Sequence, residues 1–309
     1  MRSSVIEMKL KVLSWNVRGL YEKDKRLAVR SLLRNVRADV ICLQETKMEV
    51  LGGDVVREIW GGRFVEWSYL PTVGTAGGVL LCWDNSVVVK KDEEVGERGS
   101  FLGELGDVAH QWCEPWCVGG DLNMVRWSVE KMGNTRVNRS MWAFSAFTDE
   151  LNLVDLPLQG GNFTWSNGHH MSRIDRFLVT SGWEEHFSEV VQSCLPRPVS
   201  DHWPILLDSG GVRSGPTPFW FKNMWLHSEG FLERVRRWWS TYIVSGTPSC
   251  MLAQKLKLLK TYLKLWNKET FSQVEVLKAE VVDILQSLDA QEVSSGLLGV
   301  DVAKKEAAK

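Results

Sequence analysis

The chain has 309 residues, of which 44% are hydrophobic and 24% charged, and this composition excludes disorder as its dominant state. Its formal net charge is −1, so overall charge does not indicate a nucleic-acid-binding protein, and any such surface must be local. No apolar run reaches the roughly 18 residues of a membrane-spanning helix. The N-terminal segment lacks the features of a signal peptide, and several of the six cysteines lie inside apolar runs, so we expect an intracellular protein with reduced thiols.

The first elements in chain order form a strand–helix–strand unit. Residues 9–17 (KLKVLSWNV) and residues 39–45 (DVICLQE) are rich in apolar residues and predict two buried strands. Residues 25–37 between them carry apolar residues four apart, which predicts a helix. A crossover of this length joins parallel strands, so the two strands should end at the same edge of a sheet, one at Asn16 and the other at Glu45.

Six further elements are predicted before residue 209. In chain order they are a strand at 75–83, a helix around 101–112, a strand at 116–123, a helix at 139–153, a hairpin at 160–179 and a last strand at 202–208. The dipeptide Asn167-Gly168 supplies the turn of the hairpin. Together these elements predict a domain of mixed strands and helices over residues 1–209.

Beyond this domain the composition changes. Residues 210–218 are rich in Gly, Ser and Pro and predict a linker, and residues 219–309 predict an amphipathic helical extension with a helix start at Pro248. Its two apolar stripes, within 247–288, have three open interpretations: a hairpin, a coiled coil or docking elsewhere. The opposite face is basic, which indicates a solvated face or, as the sharper alternative, a surface for a partner helix or a nucleic-acid backbone.

Polar residues follow several of the predicted strands. They are Asn16, Glu45, Asp121, Asn123, Asp175, Asp201 and His202. A carboxylate directly after a buried strand, as at Glu45, is costly unless it is paired or binds a metal. An oxygen-rich set without a positioned cysteine suits Mg²⁺, with Mn²⁺ as an alternative, and disfavours zinc. Taken singly, each residue also fits a turn or loop cap, and the two glycines before Asp121 indicate a close backbone approach to a ligand.

Five motifs occur in a fixed order: LSWNVRG, ICLQETK, VGGDLN, SRIDRFLV and VSDHWPILL. In order and flanking residues the chain resembles the endonuclease/exonuclease/phosphatase superfamily over most of residues 9–208. Within it, the chain is most similar to the endonuclease region of plant LINE-type (non-LTR) retrotransposon polyproteins. The segments GPTPFWFKNMWL and LKLWNKETF resemble the part of those polyproteins that follows this region.

The resemblance implies an α+β fold, a two-layer αββα sandwich, and metal-dependent hydrolysis of phosphodiesters. A DNA endonuclease is the leading interpretation, while the motifs leave DNA, RNA and phosphoinositide open as substrates. By motif, Glu45 and Asp201 would bind Mg²⁺, and Asn16 and Thr164 would lie at the substrate. Asp121 and Asn123 would orient or activate the attacking water. Asp175 would orient His202, which would act on the scissile phosphate as a base or as a charge stabiliser, and a retroelement nuclease would act in the nucleus.

The interval between Trp83 and Asp121 is shorter than the family pattern and lacks its tyrosine turn. We therefore expect one or two strands to be missing, which would leave an exposed sheet edge. A catalytically decayed remnant is accordingly the rival interpretation of this sequence.

Overall fold

The structure is a computed structural model that describes residues 10–61, 65–74, 76–90, 103, 105–106, 109, 115–133, 136–187, 189–210, 221, 223–295 and 299–308. The chain divides into two compact units, one formed by residues 1–213 and 284–309 and the other by residues 214–283. The sequence-based boundaries at 209 and 219 stay a prediction, and each unit is described by itself below.

The first unit contains most of the strands and helices. Its strands are β1 (Lys11–Asn16), β2 (Val40–Gln44), β3 (Val65–Val73), β4 (Ala76–Asp84), β5 (Cys117–Asp121), β6 (Leu153–Asp155), β7 (Leu158–Gln159), β8 (Trp165–Ser166), β9 (Met171–Ser172), β10 (Asp175–Thr180), β11 (Val191–Cys194) and β12 (Ile205–Asp208). Its helices are α1 (Lys23–Val36), α2 (Gly53–Trp60), α3 (Arg139–Glu150) and α4 (Ser181–His186). The later helices are α5 (Phe231–Thr241), α6 (Pro248–Ser295) and α7 (Gly299–Ala308), and α6 ends in the first unit.

Seven strands form one sheet in the order β3-β4-β2-β1-β12-β11-β7. Strand β1 lies near its centre and pairs parallel with β2, with Asn16 opposite Gln44, so the predicted common edge of these two strands is confirmed. On its other side β1 pairs antiparallel with β12. This pairing places the start of β12, which follows His202, beside the end of β1.

A three-stranded sheet has the order β5-β10-β6. Strands β5 and β10 are antiparallel, and their register places Asp121 directly opposite Asp175. The predicted single hairpin over residues 160–179 is wrong. The Asn167-Gly168 turn joins only the short strands β8 and β9, while β10 joins the three-stranded sheet, where Phe177 and Val179 are buried.

Apolar contacts define four layers. Leu13 and Leu43 of the seven-stranded sheet pack with residues of α1 and α2 on its outer face. Phe177 and Ile205 meet between the two sheets, and Phe144 of α3 packs against the outer face of the three-stranded sheet. This order of helices, sheet, sheet and helix confirms the predicted α+β sandwich.

Some sequence-based expectations are confirmed and others fall outside the described part of the chain. The helix predicted at 139–153 is present as α3, and a helix begins at Pro248 as expected. The two apolar stripes within 247–288 belong to one continuous helix. Most of the shortened interval, including residues 91–102, lies outside the described residues, and so do the predicted loss of strands and most of the helix expected at 101–112.

The second unit has an aromatic core. Trp225, Phe231, Leu263 and Trp266 are buried together, and the indole nitrogen of Trp225 donates a hydrogen bond to Asn267 Oδ1 at 2.9 Å. Leu252 and Leu256, at the start of the first predicted stripe, are about half exposed. Burial of this stripe within the unit is therefore limited to its later residues.

Residues 284–309 join the first unit through a buried ion cluster. Arg197 Nη2 lies 2.7 Å from Glu292 Oε2, and Arg197 Nε lies 3.5 Å from Asp289 Oδ1. Lys305 pairs with both of these carboxylates, and Ser166 Oγ donates to Glu292 at 2.7 Å. Two cations and two anions balance, as burial of charge requires.

Two glycines precede Asp121 because side chains occupy the space beside them. A Cβ on Gly119 would lie 2.1 Å from Phe177 Cδ1, and one on Gly120, which has φ +154°, would lie 2.5 Å from Gln44 Nε2. The space beside these glycines is therefore filled by side chains of neighbouring strands, and not by a ligand as the sequence analysis expected.

We expect the Gly119→Ala substitution to lower the free energy of unfolding by about 1–3 kcal/mol, because the added methyl group overlaps Phe177. Urea unfolding followed by circular dichroism measures this change. Gly106→Ala is the matched control, since a Cβ at Gly106 meets no atom within 4 Å. Equal stability of the two variants would contradict the packing described here.

We expect the Lys305→Met substitution to lower the free energy of unfolding by about 3–5 kcal/mol, because it leaves an uncompensated buried carboxylate beside Arg197. Lys304→Met is the control, since the Lys304 side chain is 65% exposed and should change stability by less than about 0.5 kcal/mol. The same urea measurement checks both variants. Wild-type stability in the Lys305→Met variant would show that the ion cluster does not hold the C-terminal segment.

Candidate active site

The ends of four strands place the candidate residues at one end of the space between the two sheets. Asn16 ends β1, and Glu45 follows β2. Asp121 ends β5 and faces Asp175, which begins β10. Alternation along β1 explains the direction of Asn16, because Leu13 and Trp15 pack toward the helices, which leaves Asn16 on the side of the other sheet.

The Asn16 amide joins carboxylates from both sheets. Its Nδ2 donates to Glu45 Oε1 at 3.1 Å and to Asp121 Oδ2 at 2.9 Å. Its Oδ1 accepts a hydrogen bond from the backbone N–H of Arg18 at 3.2 Å. Asn16 is 1% exposed, so its buried amide holds the two carboxylates in place and is not free to contact a ligand.

His202 and Asp175 form a buried pair. His202 Nδ1 lies 3.0 Å from Asp175 Oδ2 and 3.2 Å from Oδ1, and the two residues are 2% and 1% exposed. Asp121 Oδ2 lies farther away, at 3.9 Å from the same nitrogen. The carboxylate of Asp175 therefore contacts the ring nitrogen Nδ1, the position from which a carboxylate can fix the orientation of an imidazole.

Neighbouring groups hold this pair in place. The Thr164 hydroxyl accepts hydrogen bonds from the backbone N–H groups of Ile174 and Asp175, each at 2.9 Å. Ser200 Oγ donates to the Asn16 carbonyl at 2.7 Å and accepts the His202 backbone N–H at 3.1 Å. Thr164 is fully buried, so in this structure its side chain supports Asp175 and is not open to a substrate.

The electrostatic surroundings change the proton affinity of the pair. Burial lowers the pKa of His202, but the hydrogen bond and charge of Asp175, with the charges of Asp121 and Asp201, raise the pKa above its usual value. Burial raises the pKa of Asp175 to about 6, although the contact with His202 opposes this shift. Both groups therefore bind a proton more tightly in the folded protein than in the unfolded chain.

Two candidate residues occupy the left-handed backbone region at the ends of their strands. Glu45 has φ +50° and Asn123 has φ +52°, values that non-glycine residues adopt rarely. The Asn123 backbone N–H donates to Asp121 Oδ1 at 2.9 Å, and its side chain is exposed.

Asp201 lies beside the acids of the strand ends but has its own partners. Its Oδ1 lies 3.0 Å from Arg18 Nε, and its Oδ2 accepts the indole N–H of Trp165 at 3.0 Å. Arg18 Nε also lies 3.9 Å from Glu45 Oε2. Asp201 and Glu45 are thus joined by a guanidinium group.

Several residues of the site escaped the sequence analysis. Gln44 Oε1 accepts the Asp121 backbone N–H at 2.8 Å, and the Trp15 indole donates to the His202 carbonyl at 3.0 Å. Arg197 donates to the Asp201 carbonyl at 2.7 Å. Gln44, Trp15 and Ser200 lie inside the quoted motifs, so motif membership was a usable signal, whereas Arg197 had none.

The donor set fits a hard divalent cation. Ligand atoms of Asp121, Asp175 and His202 lie within 4.8 Å of one another. Asp175 and His202 pair with each other. The side chains of Asp121, Glu45 and Asp201 are 15%, 32% and 27% exposed. The accessible carboxylate oxygens are the kind of ligand that Mg²⁺ and Mn²⁺ prefer.

Among the helices of the described residues, none is long and apolar enough to span a membrane.

The chain is 25% identical over 253 residues to an exodeoxyribonuclease of Bacillus subtilis, and the alignment covers 64% of this chain and 98% of that protein.

Two solved structures have a similar fold. A 3′ phosphatase from Neisseria bound to product DNA hairpin has a TM-score of 0.52 at 15% identity, over 64% of this chain and 98% of that one. An AP endonuclease from Archaeoglobus fulgidus has a TM-score of 0.50 at 14% identity, over the same shares. The sequence pattern of the Endonuclease/Exonuclease/phosphatase family matches residues 13–202, which include every named residue of the site. The chain therefore belongs to the Endonuclease/Exonuclease/phosphatase family.

Proposed function

We propose that this chain is a Mg²⁺-dependent phosphodiesterase that nicks DNA, and that it derives from the endonuclease region of a LINE-type retrotransposon. The observation that carries the proposal is the meeting of Asn16, Glu45, Asp121, Asp175 and His202 at one end of the two sheets. Family membership supports the reaction class, and the five ordered motifs support the retrotransposon origin.

The choice of DNA rests on the relatives. The similar Bacillus protein is named an exodeoxyribonuclease, and the similar Neisseria structure holds a DNA hairpin. Cleavage within a strand is the finer part of the proposal and comes from the motif resemblance. On the same ground we propose that the protein acts in the nucleus.

Glu45, with Asp201 beside it, would hold the cation through partly exposed carboxylate groups. When bound, a divalent cation supplies positive charge that offsets the charge of the phosphate oxygens. Proton transfer and the rest of the charge stabilisation would depend on Asp121 and on the buried pair of His202 and Asp175.

Asp121 and His202 have different parts in this proposal. The raised pKa of His202 favours the imidazolium form, which stabilises negative charge at the phosphate and is a poor base. Asp121 is oriented by the Asn16 amide and by the Asn123 backbone N–H, and its carboxylate accepts the proton of the attacking water. Asp175 keeps the ring in position through Nδ1.

We expect the purified chain to nick supercoiled plasmid DNA with Mg²⁺ and to lose this activity in EDTA. Glu45→Gln, Asp121→Asn and His202→Gln should each lower the rate by about 100-fold or more, because each removes a charged group from the site. Asp54→Asn and His186→Gln, at exposed positions elsewhere in the unit, are the matched controls.

Three outcomes of the nicking assay decide between interpretations. Wild-type rates in the Asp121→Asn and His202→Gln variants would contradict the assigned site. A protein that is folded by circular dichroism but inert on DNA with Mg²⁺ and Mn²⁺ would favour the decayed remnant. Release of single nucleotides from DNA ends without nicking would assign an exonuclease in place of an endonuclease.

We expect His202 to titrate above about 6.5, the ordinary value for histidine, and Asp175→Asn to move this pKa downward. The reason is that the variant loses the opposing carboxylate while burial of the ring remains. Long-range nitrogen–proton NMR of the imidazole, recorded against pH, measures both values. Asp149→Asn, which removes an exposed carboxylate, is the control.

The sign of the linked stability follows from these shifts. His202 binds its proton more tightly when folded, so its contribution to stability is fully present below about pH 6.5 and is lost as pH rises through the raised pKa. Asp175, with its pKa raised to about 6, acts in the same direction at lower pH. A His202 pKa at or below its ordinary value would contradict the imidazolium assignment.

A further inference from the structure

Arg18 places a permanent positive charge between two of the carboxylates proposed to bind the cation. Its Nε lies 3.0 Å from Asp201 Oδ1 and 3.9 Å from Glu45 Oε2. The Arg18 side chain is 46% exposed, so it has room to leave these partners. Neither the family assignment nor the proposed reaction gives this residue a role.

Backbone contacts fix where the Arg18 side chain begins. Arg18 has φ +51°, and its N–H donates to Asn16 Oδ1 at 3.2 Å. The next residue, Gly19, donates its N–H to the Glu45 carbonyl at 2.7 Å. The turn that carries Arg18 is therefore tied to the turn that carries Glu45, and the guanidinium is held within reach of that carboxylate.

Arg18 and a divalent cation would compete for the same carboxylates. Asp201 Oδ2 accepts the indole N–H of Trp165, whereas Oδ1 has Arg18 at 3.0 Å and the Ser200 hydroxyl at 3.5 Å, so a metal that binds Oδ1 takes the place of Arg18. A divalent cation beside Glu45 and Asp201 would also repel a guanidinium at this distance.

We propose that Arg18 is a built-in competitor of the divalent cation: it neutralises Glu45 and Asp201 in the metal-free protein and must swing away when the metal binds. This inference rests on the proposed function, since it concerns the same carboxylates. Arg18 thereby weakens the apparent affinity for the metal, because binding includes the loss of its pairing with Asp201. It also prevents the acids from repelling one another while the metal is absent.

Isothermal titration of the full chain with MnCl₂ and with MgCl₂, without DNA, tests the competition. Arg18→Gln should lower the dissociation constant by about ten-fold, because it removes both a competitor and a repelling charge. Arg126→Gln is the matched control, since Arg126 pairs with Asp149, and it should leave the constant within about twofold. Glu45→Gln should weaken binding strongly.

NMR of the arginine Nε–H groups in the wild-type protein provides a test that needs no stable Arg18→Gln variant. The Arg18 signal is identified by its absence from the spectrum of the Arg18→Lys variant. Its chemical shift should change as Mg²⁺ is added and stop changing when the metal site is saturated. The Arg126 signal should stay in place.

The outcomes separate the two proposals. If Glu45→Gln loses metal binding while Arg18→Gln keeps the wild-type constant and the Arg18 signal does not move, the competition is overturned and the proposed function stands. If the wild-type chain binds neither Mn²⁺ nor Mg²⁺, or if Glu45→Gln binds them as well as wild type, both proposals are overturned.

Discussion

The two hydrogen bonds donated by the Asn16 amide are the constraint on which the site depends. One reaches Glu45 beside β2 and the other reaches Asp121 at the end of β5, so a single side chain joins the seven-stranded sheet to the three-stranded sheet. Because Asn16 ends the central strand β1, its position follows from the pairing of β1 with β2 and β12. The carboxylates therefore take their spacing from rigid strands, and loops are left to surround them.

Charge is distributed unequally over this molecule. Two buried groups of ions have partners of opposite charge: Arg176 is completely buried between Glu130 and Asp155, and the cluster of Arg197, Lys305, Asp289 and Glu292 is balanced. At the end of the sheets, in contrast, Glu45, Asp121 and Asp201 have partly exposed side chains, and the half-exposed Arg18 lies beside Glu45 and Asp201. Balanced charges stabilise the framework, whereas accessible, incompletely paired acids are suited to a cation and a phosphate.

Sequence patterns predicted the parts of the fold that depend on local periodicity. The parallel pair β1 and β2, the helix α3 and the polar residues at strand ends could be read directly, because apolar spacing and crossover length determine them. The partner of β10 could not, since strand pairing across distant segments has no local signal. For the same reason Arg197 was missed, whereas Arg18 lies inside the motif LSWNVRG and was passed over there. Thr164 was expected at the substrate, although it is buried and its hydroxyl accepts the backbone N–H of Asp175.

The central claim is that Glu45 and Asp201 face one cation position, beside Asp121 and the His202–Asp175 pair. Anomalous diffraction from a crystal of the protein soaked in MnCl₂ tests it most directly. The account predicts one strong manganese peak within about 2.2 Å of a Glu45 carboxylate oxygen, a ligand distance typical of such ions, with the imidazole of His202 still paired to Asp175. A manganese peak bound only at other surface acids, or none in a crystal where the strand ends are ordered, would contradict it.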